Sequence, residues 1–176
     1  LGWCAKTQRT PAGLSLGVVG AGNVGGRLAA HAAALGMTVL ACDPPRERAG
    51  DDFPGGWSTL RQALACDVVS LHVPLNKVGI DATFHLLGQE ELARLHAGQL
   101  LINSCRGSVI DNSALLARLQ EMDAPTCVLD VWEDEPDVPR ALFEKVWLGT
   151  PHIAGYSQEG KLRGSWMLRV ALGRWL

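Results

Sequence analysis

The chain reads as an α/β protein built on a doubly wound parallel sheet. Two observations predict this. Short apolar runs alternate with helical patterns from one end of the chain to the other, and the first run breaks into a glycine-rich turn that opens a helix. The strand candidates are residues 14–20, 37–42, 67–72, 99–103, 126–131 and a brief 146–149. Their near-continuous apolar character suits strands covered on both faces. Helical patterns fall between them at 23–35, 58–66, 89–95, 113–121 and 139–145. Gly36 is placed to end the first helix, and Asp111-Asn112-Ser113 offers N-cap chemistry before the fourth. Residues 51–56 read as a surface loop. The expected strand order is 3-2-1-4-5-6, with ligands outside the carboxyl ends near the switch point between strands 1 and 4.

A chain of 176 residues suits one domain with a substantial core. The formal net charge of -2 gives no electrostatic reason to expect nucleic acid or an anionic membrane. Glycine and charge interrupt every apolar run well before the roughly 20 residues that a bilayer span needs, and no signal peptide is visible. The five cysteines, at 4, 42, 66, 105 and 127, are odd in number and form no C-x-x-C pair. Reduced thiols in a cytoplasmic protein are therefore expected. The chain opens on Leu1 and closes on an apolar-rich helical pattern, so it reads as a fragment of a larger protein.

The turn Val19-Gly20-Ala21-Gly22-Asn23-Val24-Gly25 has the form G-x-G-x-x-G. Gly20 permits a tight strand-to-helix turn, Gly22 lets the backbone approach a pyrophosphate, and Gly25 lets the helix pack on the sheet. The pyrophosphate then meets free N–H groups at a helix N-terminus. Asp43 closes the second strand 18 residues after Gly25, where a ribose-binding carboxylate belongs. Its charge suits a 2′-hydroxyl and repels a 2′-phosphate, which predicts NAD as cofactor. A methyltransferase also uses a glycine-rich first turn, so the other strand ends must decide.

Strand 4 leads to Arg106, strand 5 to Glu135 and strand 6 to His152. Arg106 offers a planar fork for a carboxylate, and it can stabilise charge on a neighbouring carbonyl oxygen. His152 can act as general acid or base, with Glu135 orienting its ring and favouring the imidazolium. Together they describe hydride transfer from the carbon bearing a 2-hydroxyl: His152 removes the hydroxyl proton and Arg106 holds the adjacent carboxylate. Taken singly, each has a plainer reading as a loop ion pair, a solvated acidic run or a turn histidine. Their joint placement after three successive strands favours the functional one. His31, His72, His85 and His96 lack such a setting and read as structural. No metal site is expected.

These motifs resemble the D-isomer-specific 2-hydroxyacid dehydrogenases. The residues that carry the likeness are the glycine turn with Asp43, Asn103-Ser104-Cys105-Arg106-Gly107, Leu129 to Pro136, and Thr150-Pro151-His152-Ile153. Residues 42–46, Cys105 and above all residues 151–164 point to one branch of that family, which implies a small phosphorylated hydroxy acid as substrate. The resemblance implies Arg106, Glu135 and His152 as the catalytic set. It also implies Asp130 on the nicotinamide carboxamide, Asn23 and Val24 on the pyrophosphate, and further cofactor contacts from Val73, Pro74, Ser104, Cys105 and Gly155. Tyr156 matches a substrate-contacting residue. Val73 stands where this branch often carries threonine, a modest departure. Lys161 and Arg163 read as a solvated pair rather than phosphate ligands. The implied domain plan is the end of an interdomain helix at 1–10, an NAD-binding Rossmann domain at 11–155 and the start of a return helix at 156–176. It further implies a homodimer that pairs through cofactor-domain helices. Phosphoglycerate- or hydroxypyruvate-type enzymes, and an NAD-sensing binding protein, remain as alternatives.

Overall fold

A computed structural model of the chain describes residues 10–175. One all-parallel sheet contains β1 (Ser15–Val19), β2 (Thr38–Cys42), β3 (Val68–Leu71), β4 (Leu100–Asn103), β5 (Thr126–Leu129) and β6 (Leu148–Gly149). The helices are α1 (Asn23–Ala34), α2 (Pro44–Arg48), α3 (Leu60–Leu64), α4 (Gln89–Leu92), α5 (Asn112–Arg118), α6 (Arg140–Phe143) and α7 (Gln158–Trp175). The α/β class is as expected. Of residues 1–10, expected to end an interdomain helix, 1–9 (Cys4 among them) lie outside the described residues, as does Leu176.

The strand order is β2-β1-β3-β4-β5-β6, which corrects the expected 3-2-1-4-5-6. The cause is visible at β1. Leu16 and Val18 face α1, packing with Ala29 and Ala32. Gly17, on the opposite face, meets α3 so closely that a Cβ there would lie 2.0 Å from the Ala63 carbonyl oxygen. Crossovers between parallel strands are right-handed, so helices on opposite faces carry the chain in opposite directions. Thus α1 takes it from β1 to β2, and α3 takes it back past β1 to β3. The switch point therefore lies between β1 and β3, not between strands 1 and 4.

The larger core lies on the α3 face. Val19, Val69, Leu71, Leu101 and Leu129 present their side chains there, and Leu64, Leu92, Leu115 and Leu142 descend from α3, α4, α5 and α6. Each such buried leucine contributes about 2 kcal/mol, so this face supplies most of the hydrophobic stabilisation. The other face is covered less evenly: Leu100, Ile102 and Val128 are only half-buried.

Local signals set the helix ends. Asp111 accepts a hydrogen bond from the Ala114 N–H, and Thr59 with Gln62 forms a capping box at α3. Gly36 follows the C-cap of α1 with φ 83°. Two elements lack a sequence forecast, α2 and a 3-10 turn at Gly107–Val109. In α2, Pro44 and Pro45 occupy the first helical positions, where a missing N–H costs nothing. The long α7 forms as its pattern predicts, but none of its residues is buried, and Leu162, Trp166, Leu172 and Trp175 stay exposed. No helix among the described residues is long and apolar enough to cross a membrane. Cys42, Cys66, Cys105 and Cys127 are free thiols. Burial pushes Cys42 up to about 11 and Cys127 up to about 12, so both stay protonated and inert at neutral pH.

Candidate active site

The glycine turn packs as its spacing requires. Gly20 has φ 90°, and a Cβ there would lie 2.7 Å from the His72 carbonyl oxygen. A Cβ on Gly25 would lie 2.0 Å from the Gly20 carbonyl oxygen, so α1 can approach the sheet only with glycine at that position. At Gly22, by contrast, a Cβ would meet nothing within 4 Å. The turn is closed toward the protein and open at the N-terminus of α1, where Asn23 and Val24 are exposed. That openness is what a pyrophosphate needs.

Asp43 ties the end of β2 to this turn. Its Oδ2 accepts from the Ala21 N–H at 2.8 Å and its Oδ1 from the Arg46 N–H at 3.3 Å. Arg46 fastens the same corner from the other side, donating to the Ala21 carbonyl and pairing with Asp51 at 2.7 Å. Gly20, Gly22, Asp43, Val73 and Pro74 line one cleft of about 280 Å³ at the carboxyl ends of β1, β2 and β3. Thr83 shapes its floor, donating to the Pro74 carbonyl and accepting from the Asn76 N–H. His72 also lines the cleft. Burial lowers its pKa, and its Nε2 lies 2.9 Å from Ser70 Oγ.

The second half of the site follows β4, β5 and β6. His152 Nδ1 lies 2.7 Å from Glu135 Oε2. A carboxylate only accepts, so Nδ1 carries a proton, and in the neutral ring Nε2 is the nitrogen with the lone pair. The other oxygen of Glu135 accepts from the Trp132 N–H at 2.8 Å, which fixes the carboxylate plane. His152 itself has φ 54°, a left-handed conformation that a non-glycine residue adopts only when its surroundings impose it. Asp130 imposes it. Its backbone carbonyl accepts from the His152 N–H at 2.7 Å, while its buried carboxylate accepts from Thr150, Ile153 and Ala154. Desolvation pushes the Asp130 pKa up, but these hydrogen bonds outweigh it and hold the group below its ordinary value. Three acceptor positions are thereby used, and one remains on Oδ2.

Arg106 is exposed and forms no ion pair among the described residues. Among the described residues its guanidinium makes one hydrogen bond, to the adjacent Cys105 carbonyl at 2.6 Å. Buried Asn103 holds the loop from below, donating to the Arg106 carbonyl at 3.0 Å and accepting from the Cys105 N–H at 3.1 Å. A free guanidinium on a fixed backbone suits bidentate capture of a carboxylate. Burial raises the Cys105 thiol above its ordinary value, while Ser104 is exposed.

Thus the structure joins His152 to Glu135, seats Asp130 beneath them, and gathers the glycine turn with Asp43, Val73 and Pro74. No hydrogen bond links Arg106 to Glu135 or His152 among the described residues. Gly155 faces open space. Tyr156 and Lys161 are both exposed, and the Lys161 ammonium lies 4.1 Å above the Tyr156 ring. Sequence reasoning missed Asn103, Thr150 and Arg46 as site-builders, and it placed His85 among the structural histidines. His85 pairs with Glu133 and faces Asp111 at 3.7 Å. These three could also group around a cation, but the two carboxylates contact different ring nitrogens.

A parallel sheet with an open glycine turn at β1, an acid at the end of β2 and a hydrogen-bonded histidine–glutamate pair beyond β5 and β6 has the form of the cofactor-binding half of a dehydrogenase. A family model described as the NAD-binding domain of the D-isomer-specific 2-hydroxyacid dehydrogenases matches residues 2–154, and the chain belongs to that family. NAD is the cofactor of this domain. Two similar proteins, from Marinobacter nauticus and Aeromonas hydrophila, are named erythronate-4-phosphate dehydrogenase. They are 53% identical over 163 residues and 54% identical over 164. Each alignment covers 93% of this chain but only 42% and 44% of those proteins, so the chain spans less than half the length of these relatives. Among solved structures, the D-lactate dehydrogenase of Aquifex aeolicus complexed with NAD and lactic acid superposes with a TM-score of 0.72 at 30% identity. The match covers 92% of this chain and 53% of that one.

Proposed function

We propose that the protein containing this chain oxidises 4-phospho-D-erythronate at C2 to 3-hydroxy-2-oxo-4-phosphooxybutanoate, a step of pyridoxal phosphate (vitamin B6) biosynthesis. The observation that carries the chemistry is the 2.7 Å contact between His152 and Glu135 at the end of β6. The named relatives, at 53% and 54% identity, support the choice of substrate.

In this reading the turn at Gly20, Gly22 and Gly25 receives the cofactor pyrophosphate and Asp43 the ribose. Asn23 and Val24, with Val73, Pro74, Ser104, Cys105 and Gly155, complete the cofactor contacts, and the open position on Asp130 faces the nicotinamide carboxamide. NAD held by these residues would supply the acceptor for the hydride that leaves C2. The Nε2 of His152 takes the proton of the C2 hydroxyl, and the Glu135 carboxylate balances the charge that develops on the ring. Arg106 holds the substrate carboxylate and stabilises the nascent carbonyl oxygen. Tyr156 contacts the substrate from the start of α7. The intact protein works as a cytoplasmic homodimer.

The test is NADH formation by the intact protein with 4-phosphoerythronate and, in parallel, 3-phosphoglycerate. Preference for 4-phosphoerythronate is expected. His152→Ala is expected to lower kcat by roughly 100- to 10,000-fold, the range of general acid–base catalysis, while leaving NAD bound. Turnover of 3-phosphoglycerate alone would retain the chemistry and overturn the substrate. Tight NAD binding without turnover of either would favour a sensor.

A further inference from the structure

The loop after β5 carries two glutamates, and each holds a histidine whose backbone is left-handed. Glu135 holds His152, at φ 54°; Glu133 holds His85, at φ 51°. Among the described residues these are the two non-glycine positions with positive φ. The first pair belongs to the proposed chemistry. The second has no part in it, yet its connections run to the loops that carry that chemistry.

His85 lies in the long segment between β3 and β4. Its N–H donates to the Ser108 carbonyl at 2.8 Å, two residues beyond Arg106. Its Nε2 meets one oxygen of Glu133, and the other oxygen of Glu133 accepts from the Asn112 N–H at 3.1 Å. Asn112 is buried and returns the contact, its Oδ1 accepting from the Glu133 N–H at 3.3 Å. Directly between these bonds the two loops touch. A Cβ on Gly107 would lie 1.8 Å from the Trp132 carbonyl oxygen, and the Trp132 N–H is the group that orients Glu135. Arg106 and Glu135 thus project from two backbones pressed together at Gly107 and Trp132 and pinned behind by His85, Glu133 and Asn112.

We propose that the His85–Glu133 pair is a brace that positions the Arg106 loop against the Glu135 loop. It thereby sets where a substrate carboxylate lies relative to the His152 ring. His85 is a positioning residue, not a catalytic one, and the proposal rests on the roles given above to Arg106, Glu135 and His152. The strain at His85 fits this view, because a left-handed residue persists only where its surroundings over-determine it.

The test uses the intact protein with His85→Asn and Glu133→Gln. Asparagine accepts the left-handed backbone, but its side chain is too short to reach Glu133. Misplacement of reacting groups by about 1 Å costs up to about 100-fold, so kcat/KM for the hydroxy acid is expected to fall by about 10- to 100-fold in His85→Asn. NAD affinity is expected to hold. Glu133→Gln keeps a hydrogen-bonding group toward both His85 and Asn112 and is expected to retain most of the rate. In nitrogen-15 spectra the Nδ1 proton of His152, bound to Glu135, is expected to shift or broaden in His85→Asn. An unchanged kcat/KM, an unchanged His152 signal, or NAD affinity falling in step with activity would each overturn the brace. Absence of turnover in the unsubstituted protein would instead count against the proposed reaction, and the His152 signal would then decide the brace by itself.

Discussion

At Gly107 there is no room for a side chain. Any Cβ would lie 1.8 Å from the Trp132 carbonyl oxygen, and the neighbour is backbone, which cannot swing aside. Gly107→Ala is therefore expected to destabilise the fold by about 3 kcal/mol, the upper range for forced overpacking, read as a lower denaturation midpoint. Because the displaced backbone carries Arg106 on one side and Glu135 on the other, activity should fall even where the variant stays folded. His152 shows the same economy of space. Its left-handed backbone costs on the order of 1–3 kcal/mol, which the hydrogen bonds of Asp130 to residues 150–154 offset. Asp130→Asn would replace one acceptor oxygen with a donor facing N–H groups. The expected outcome is a disordered His152 and a loss of turnover comparable with that of His152→Ala.

At the scale of elements, the strands were legible because buried parallel strands are apolar throughout, and all six runs became strands. Their order was not, because it depends on which face α3 takes, and apolar runs carry no such information. Gly17 was the available signal: a glycine inside a strand marks a close backbone approach, here that of Ala63. The helix α2 is five residues long, too short to show a periodic apolar pattern, and it starts on Pro44 and Pro45, which are tolerated at a helix start. Arg106, Glu135 and His152 were legible as candidates because each follows a strand, where ligands bind in such sheets. His85 was not, since it sits in a segment with no periodicity and its partner is distant in sequence. Nor was Arg118, a buried arginine that joins α5 to the turn after α4. Its Nη2 donates to the Leu95 carbonyl at 2.6 Å, and its Nη1 pairs with Glu121 and Asp123 at 2.9 Å. The two acids are exposed and stay solvated without it, so the main loss lies in the Leu95 contact and in packing. Arg118→Ala is expected to cost about 2–3 kcal/mol in urea denaturation, with NAD affinity unchanged.

For the molecule as a whole, two groups link stability to acidity in the same direction. Burial lowers the pKa of His72, so the unfolded chain takes up that proton first as pH falls below about 6.5. Stability from His72 is complete above that value and is lost on the way down to its lower folded value. Asp130 acts in a lower window: its stabilisation is present above the ordinary aspartate value near 3.9 and is lost as pH falls through its depressed folded value. The denaturation midpoint is expected to drop in two stages on acidification, and His72→Gln should flatten the first; an unaltered slope in that variant would refute the assignment. A different asymmetry comes from β6. It is two residues long and pairs only with β5, whereas β1 is flanked on both sides by β2 and β3. Short edge strands open at lower free energy than central ones. His152, the proposed proton acceptor, therefore hangs from a short edge of the sheet, and the glycine turn rises from a strand paired on both sides. On warming, the protein should lose its chemistry while it still holds NAD, so that heat inactivation runs ahead of melting.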